Sequence, residues 1–409
     1  MPNSLPSQSK IQTMRTLTYY ASRATAFIRT PGATKMLKEE RQRLRQKPEK
    51  ATPESLYTGA RRAVEWLLYA QSQSPDGGFP TLDIGKGFGA SYPETSGYIL
   101  DTLLHWQSHS PSKDVERSIN HCAEWLLNIQ HADGGWQSGY IDSEKPSVVF
   151  NTAQVMRGLI HLWKKQPSDK LAQALDNAMN WIVSVQEPPG VWAKHNYLGK
   201  ARVYDTYVVA PLTQWAQIRG NSDALQAAEE HIHWVVDKQL SNGWFPDADN
   251  TEKHNNRPIL HTIAYTIDGL LEYAERTGNS DALASGARAA EVLANRFLEH
   301  QRLPGRFDKK WHGSEAVITT GCAQMVVAWS RLMAIQPENE LWTKTIDQMC
   351  SLLLHMQWTN TTNVNLKGAL TGSFPFWGKY EPFRCPNWAV KYLVDALMSH
   401  HNFPEPYDA

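Results

Sequence analysis

The chain has little cysteine and no cysteine pair. Cys122, Cys322, Cys350 and Cys385 stand far apart in 409 residues. No CxxC spacing exists, which argues against a zinc cluster and a disulfide framework. No metal site and no cofactor is expected. There is no apolar run long enough to span a bilayer. The N-terminus lacks the apolar stretch and small-residue cleavage site of a secretory signal, so a cytoplasmic protein is expected. Net charge is absent too, with 41 Lys+Arg against 41 Asp+Glu, so nothing global points to nucleic acid. Strand-like alternation is missing. What remains is a globular composition, 41% hydrophobic and 20% charged, with 16 tryptophans.

The charge is unevenly spread. Residues 1–50 hold 11 Lys/Arg and 3 Asp/Glu, a net of +8, leaving −8 for the rest. They read as a basic N-terminal extension ahead of a domain at 51–409. Its segment TMRTLTYYASRATAFIRT has the pattern of a basic amphipathic helix. Two readings stay open: an arm packed on the domain, or a peripheral contact with a partner or an anionic inner-membrane surface.

One phrase recurs: a helical stretch, then Gln, then a turn ending in an aromatic. It reads EWLLYAQSQSPDGGF, EWLLNIQHADGGW, NWIVSVQEPPGVW and HWVVDKQLSNGWF, followed by two degenerate copies. The glutamines are Gln71, Gln130, Gln186, Gln239, Gln301 and Gln357, spaced by 59, 56, 53, 62 and 56 residues. Such self-similarity marks a repeat architecture. Each repeat carries two helical patterns. The first ends in the phrase: 53–72, 112–130, 169–186, 221–240, 280–298 and 338–357. The second is apolar nearly all round and therefore buried: 94–108, 151–165, 202–218, 260–277, 319–335 and 386–400. The last inner helix has no polar cap after it, as an open solenoid would need. The expected fold is all-α, a single (α/α)6 toroid of six outer/inner helix pairs. The Gly and aromatic of each phrase read as staples of that fold.

The phrase resembles the QW motif of triterpene cyclases and protein prenyltransferase β-subunits, which implies an α/α-toroid. Their chemistry does not carry over. The cyclase Asp-x-Asp-Asp acid is absent; Asp247-Ala-Asp249-Asn250 is the nearest string. Asp347 and Cys350 do not match the prenyltransferase zinc ligands. The strings SYPETSGY, SVVFNTAQVMRGL, LHTIAYT, TTGCAQM and GSFPFWGKYEPFRCPNWAVKYLVDAL resemble uncharacterised toroid proteins encoded with bacterial surface-polysaccharide genes. That resemblance implies a glycan setting.

Aligning the inner-helix starts gives Glu94-Thr95, Asn151-Thr152, Asp205-Thr206, His261-Thr262 and Thr319-Thr320, with a degenerate sixth near Asn387. These positions surround one mouth of a toroid. The threonines read as helix caps. The varying residues before them read as a functional ring. The preceding loops add Tyr92, His195, Tyr197, Arg202, Tyr204, His254, Arg257, Trp311, His312, Lys367, Trp377, Lys379 and Tyr380, and Tyr265 lies one turn inside a helix. Aromatics stack on sugars, and Arg pairs bidentately with a uronate carboxylate.

Asn151, His195, Tyr204 and Arg257 resemble, in order and spacing, the Asn–His–Tyr–Arg set of α/α-toroid uronate lyases. By that resemblance Asn151 acidifies the α-proton, His195 or Tyr204 removes it, and Tyr204, aided by Arg257, protonates the leaving oxygen. Glu94 and Asp205 form a rival acid/base pair for glycoside hydrolysis. Proton return to the opposite face makes a C5 epimerase the third form. The expected partner is an acidic oligo- or polysaccharide. Isoprenoid chemistry and a non-catalytic glycan-binding toroid are the alternatives.

Overall fold

The computed structural model describes residues 8–251 and 254–404, and all their side chains except those of residues 8–17. Two helices, α1 (Gln8–Ile28) and α2 (Ala33–Arg43), precede twelve that build the toroid. The outer six are α3 (Pro53–Ser72), α5 (Lys113–Asn128), α7 (Asp169–Ser184), α9 (Ser222–Lys238), α11 (Ser280–His300) and α13 (Glu340–Met356). The inner six are α4 (Pro93–His109), α6 (Val149–Lys165), α8 (Thr206–Arg219), α10 (Leu260–Thr277), α12 (Thr319–Ile335) and α14 (Asn387–Met398). Helix α8 starts a turn later than its pattern predicts, because Val203–Asp205 form a short 3-10 turn.

Every outer helix has a side-chain cap: Thr52, Ser112, Ser168, Asn221, Asn279 and Asn339 accept from backbone N–H groups of the first turn. No inner helix has one. The inner-helix threonines are therefore not caps. They lie inside the helices, and Thr152 and Thr262 donate back to Val148 O and Ile259 O. Carbonyls of neighbouring loops meet the first amides of α6, α10 and α12, from His195, Gly305 and Gly372.

The recurring glutamines join the outer helices into a ring. Gln71 donates to Gly77 O of its own turn and to Ser118 O of α5. Gln130 reaches Ala174 O of α7, Gln186 reaches Ala227 O of α9, and Gln239 reaches Ser285 O of α11. The degenerate Gln301 meets Gln348 of α13. Gln357 closes the circle, donating to Gly59 O of α3 at 2.9 Å. The turn glycine also touches the next outer helix. A Cβ on Gly190, which has φ +91°, would lie 2.7 Å from the backbone of Glu230.

The inner helices pack in the order α4, α6, α8, α10, α12, α14, and α14 returns to α4. The sequence pairs each outer helix with the inner one after it. The structure instead packs each inner helix on the outer helix that follows, and α14 on α3. Short inner-to-outer connections force antiparallel neighbours. The long outer-to-inner loops are left free to build the mouth.

Residues 18–43 lie on the toroid. Phe27 is buried between Phe376 and Phe383, with ring centroids at 5.2 and 5.0 Å. Glu40 is fully buried and accepts the Phe376 amide. Arg23 pairs with Asp83 at 3.1 Å, and Arg43 covers the Trp358 ring at 4.0 Å. Residues 1–7 of the basic extension lie outside the described residues. Short strands Pro80–Asp83, Gly87–Ser91 and Arg384–Cys385 form a small sheet that ties the last loop to the first. No helix among the described residues is long and apolar enough to cross a membrane.

Candidate active site

The long loops and the inner-helix starts enclose a cavity of about 360 Å³. Helix α4 supplies Glu94, Thr95 and Tyr98, with Tyr92 just before it; α6 supplies Phe150 and Asn151; α10 supplies His261, Thr262 and Tyr265; α14 supplies Trp388. The loops add Tyr140, Lys145, Asn196, Tyr197, Tyr204, Asn250, Tyr380 and Glu381.

Glu94 is the carboxyl in this wall whose acidity burial shifts. Burial pushes its carboxyl up to about 7, while a hydrogen bond from the Tyr92 phenol pulls the other way. At neutral pH it is therefore poised between acid and carboxylate. Its field reaches Tyr92, Tyr98, Tyr204, Tyr265 and Tyr380, which places it among five phenols.

His261 stands across the ring, since α10 is three inner helices from α4. Burial pulls its imidazole down to about 4, so it is neutral. Its Nδ1 lies 2.8 Å from Gln324 Oε1 and donates to that carbonyl oxygen. Nε2 is thereby an acceptor, and it has no protein partner among the described residues. Asn151 donates to Gln137 O at 2.7 Å, which fixes its amide at the wall.

Aromatic rings form the sides. Tyr92 lies 5.2 Å from Tyr140 and 6.3 Å from Trp388. Trp388 donates to Tyr380 Oη, and Arg384 donates to Tyr140 Oη at 3.0 Å. The floor is Tyr98 and Tyr265; beneath them pack Tyr392 and Tyr207, with Tyr392 donating to Tyr207 at 3.1 Å. Among the lining residues the charged groups are Glu94, Glu381 and Lys145, apart from the neutral His261. Glu381 is paired with Arg384, and Lys145 is exposed with no ion-pair partner among the described residues.

Of the residues singled out from the sequence, Glu94, Asn151, His261, Tyr92, Tyr197, Tyr204, Tyr265 and Tyr380 line this cavity, as do Thr95 and Thr262. The others do not. His195 faces outward, its ring edge-on to Trp181 of α7 at 5.6 Å and its carbonyl capping α6. Arg257 is exposed, and its carbonyl accepts from Arg306. The four-residue lyase set is thus not assembled. Asp205 is fully buried behind Asn196, which donates to its carboxylate. Burial pushes Asp205 well above the carboxylate range, with Arg202 opposing. The Glu94–Asp205 pair is therefore not formed across the cavity; Asp205 holds Asn196 in place. Arg202 is buried beside Asp205.

Trp311 is buried and donates to Asn242 O. Trp377 packs on Phe376, under α1. Asn387 is buried and donates to Phe79 O at 2.6 Å. Asp249, from the nearest cyclase-like string, accepts from Ile259 N and Arg306 and is structural. Sequence reasoning missed Asn196, Tyr140, Lys145 and Trp388. Asn196 and Trp388 each sit one residue beyond a chosen position, and Tyr140 and Lys145 lie in a loop without repeat equivalents.

A larger crevice, about 620 Å³, lies outside the barrel between residues 39–50 and α13. Its Arg43 and His355 are already engaged with each other's segments, so it reads as a packing seam.

No family model matches the chain. Enfumafungin synthase of Hormonema carpetanum is 25% identical over 206 residues, covering 44% of this chain and 15% of the synthase. Solved structures share the fold. An unsaturated glucuronyl hydrolase specific for heparin superposes with TM-score 0.66 at 12% identity, covering 85% of this chain and 97% of its own. The unsaturated glucuronyl hydrolase of Bacillus sp. GL1 gives 0.64 at 12%, covering 84% and 96%. Cellobiose 2-epimerase of Bacillus thermoamylovorans B4167 gives 0.63 at 9%, covering 83% and 97%. The chain is thus an α/α-toroid, similar in fold to glucuronyl hydrolases and sugar epimerases and, over part of its length, in sequence to enfumafungin synthase.

Proposed function

We propose that the protein is a carbohydrate-active enzyme that hydrolyses uronate-containing oligosaccharides, with Glu94 as proton donor. The observation that carries this is Glu94 itself: a carboxyl with its pKa near neutrality, inside a cavity walled by aromatic rings and neutral polar groups. A general acid works best with its pKa near the working pH. In this reading Glu94 gives its proton to the glycosidic oxygen as the bond to the anomeric carbon breaks. A water activated at His261 Nε2 attacks that carbon from the opposite face and leaves its proton on the imidazole. Acid and base on opposite sides of the sugar suit inversion. Tyr92, Tyr140 and Trp388 offer stacking surfaces. Lys145, at the rim, is a cation available for the uronate carboxylate. The fold likeness to unsaturated glucuronyl hydrolases supports the same substrate class. The proposal keeps the cytoplasm as its setting, with the basic stretch 1–50 as the segment for any membrane or partner contact.

The test is product analysis on uronate-containing oligosaccharides. Hydrolysis predicts new reducing ends without a rise in the ultraviolet absorbance of an unsaturated uronate. A rise in that absorbance means elimination and sinks the hydrolytic reading. Binding without any product means a glycan-binding toroid.

A second reading, isoprenoid cyclisation, is favoured by the synthase similarity and by an acid ringed with phenols. It sits poorly with Asn151, Asn196, Asn250, His261 and Lys145 at the mouth. Conversion of a linear isoprenoid, with no action on sugars, would reverse the order of the two readings.

A further inference from the structure

Deeper in the barrel, α4 and α6 touch backbone to backbone. A Cβ on Gly97 would lie 2.5 Å from the Val155 Cα, and one on Gly158 would lie 2.1 Å from the Gly97 carbonyl oxygen. Only hydrogen fits at both positions. One turn further along each helix, this close approach brings Asp101 of α4 to His161 of α6. Asp101 Oδ1 lies 2.8 Å from His161 Nδ1. His105 follows Asp101 by four residues, so it shares that helix face. Its Nε2 lies 3.8 Å from the same oxygen. The two imidazole centroids are 4.4 Å apart. One donor atom from each residue falls within 4.8 Å of the other two.

We propose that Asp101, His105 and His161 bind one zinc-class divalent ion, with water as the fourth ligand. Two imidazole nitrogens and one carboxylate oxygen are zinc donors, and at bond lengths of about 2.0–2.2 Å tetrahedral donors sit roughly 3.3 Å apart. The separations from Asp101 Oδ1, 2.8 and 3.8 Å, bracket that edge, and the two imidazole donors lie within 4.8 Å of each other. All three side chains stand on rigid inner helices, so little ordering is required on binding. Without metal His161 Nδ1 donates to Asp101 Oδ1; on binding, that hydrogen bond is replaced by two metal bonds and the imidazole carries its proton on Nε2. His105 is largely exposed, which leaves an entry path. His105 lies eleven residues beyond Glu94 on one helix, about 16 Å along its axis. The site is therefore separate from the cavity at the mouth.

A second trio, Asp347, His400 and His401, has similar spacing. There His400 Nδ1 already accepts the Asn402 amide, so its proton sits on Nε2, facing Asp347 at 3.0 Å. A metal at that nitrogen would break the Asn402 bond. This trio serves as the control.

The experiment titrates metal-stripped full-length protein with Zn²⁺ by calorimetry and with Co²⁺ by visible absorption. The expected result is one equivalent bound, weakened at least tenfold by His105→Ala and by His161→Ala and unchanged by His401→Ala. Both losses should appear in variants whose metal-free circular dichroism and melting match the parent. His105→Ala, at an exposed position, guards against misfolding. No saturable binding at one equivalent, or binding that survives both substitutions, overturns the proposal.

Discussion

Glu94 holds its proton more tightly in the folded chain than the ordinary carboxyl value of 4.5 allows, up to about 7. Between those values the native state binds more protons than the unfolded one, so this group's contribution to stability falls as pH rises. At about 1.4 kcal/mol per unit, the swing is about 3 kcal/mol at most. Glu94→Gln removes it. The difference in unfolding free energy between wild type and variant should therefore move against wild type from pH 4.5 to 8. A difference that stays flat would show that Glu94 titrates normally. Position along the repeat was enough to single out Glu94, Asn151 and His261, because parallel inner helices bring equivalent residues to one mouth. It was not enough for Asp205, Thr319 and Asn387, which occupy the same register. Their side chains are tied back into loops, to Asn196, Thr371 O and Phe79 O. Loop geometry decides which ring members face inward, and nothing in the helical period encodes it. His195 failed for the same reason: it and Asn196 are neighbours, and the backbone turns the second one inward.

At the scale of elements, the Gln-turn-aromatic phrase is a staple with a visible mechanism. Gln357 is buried and donates to Gly59 O and Gly368 O. Gln301, in the other degenerate copy, is exposed and meets only Leu298 O and Gln348. Lost buried hydrogen bonds cost about 1 kcal/mol each, more where a carbonyl is left unpaired. Gln357→Ala should thus lower unfolding free energy by roughly 2 kcal/mol, and Gln301→Ala by less than about 0.5 kcal/mol. Urea unfolding of the two variants checks this; equal losses would mean the phrase is not the ring's fastener. The helices themselves were legible, since apolar periodicity over 12 to 21 residues leaves little choice. Which helix packs on which was not. The period is blind to connection length: short connections fixed the pairing of α4 with α5, and ring closure, not a connection, brought α14 onto α3.

For the whole molecule, closure is what makes the site. Six inner helices returning on themselves point their starts into one mouth, and the long loops wall it with Tyr, Trp and Asn. That closed ring followed from the repeat. The reaction did not follow, because the cyclase and lyase residue sets that the motifs suggested are either absent or dispersed. The central claim is that Glu94 supplies the proton at bond cleavage. The most direct measurement is the rate of reducing-end release from a uronate-containing oligosaccharide by wild type and Glu94→Gln across pH. The account predicts a wild-type kcat/KM that falls above about pH 7 and a variant slower by roughly 10²- to 10⁴-fold with substrate binding retained. A Glu94→Gln enzyme that keeps wild-type rate and pH profile would contradict it.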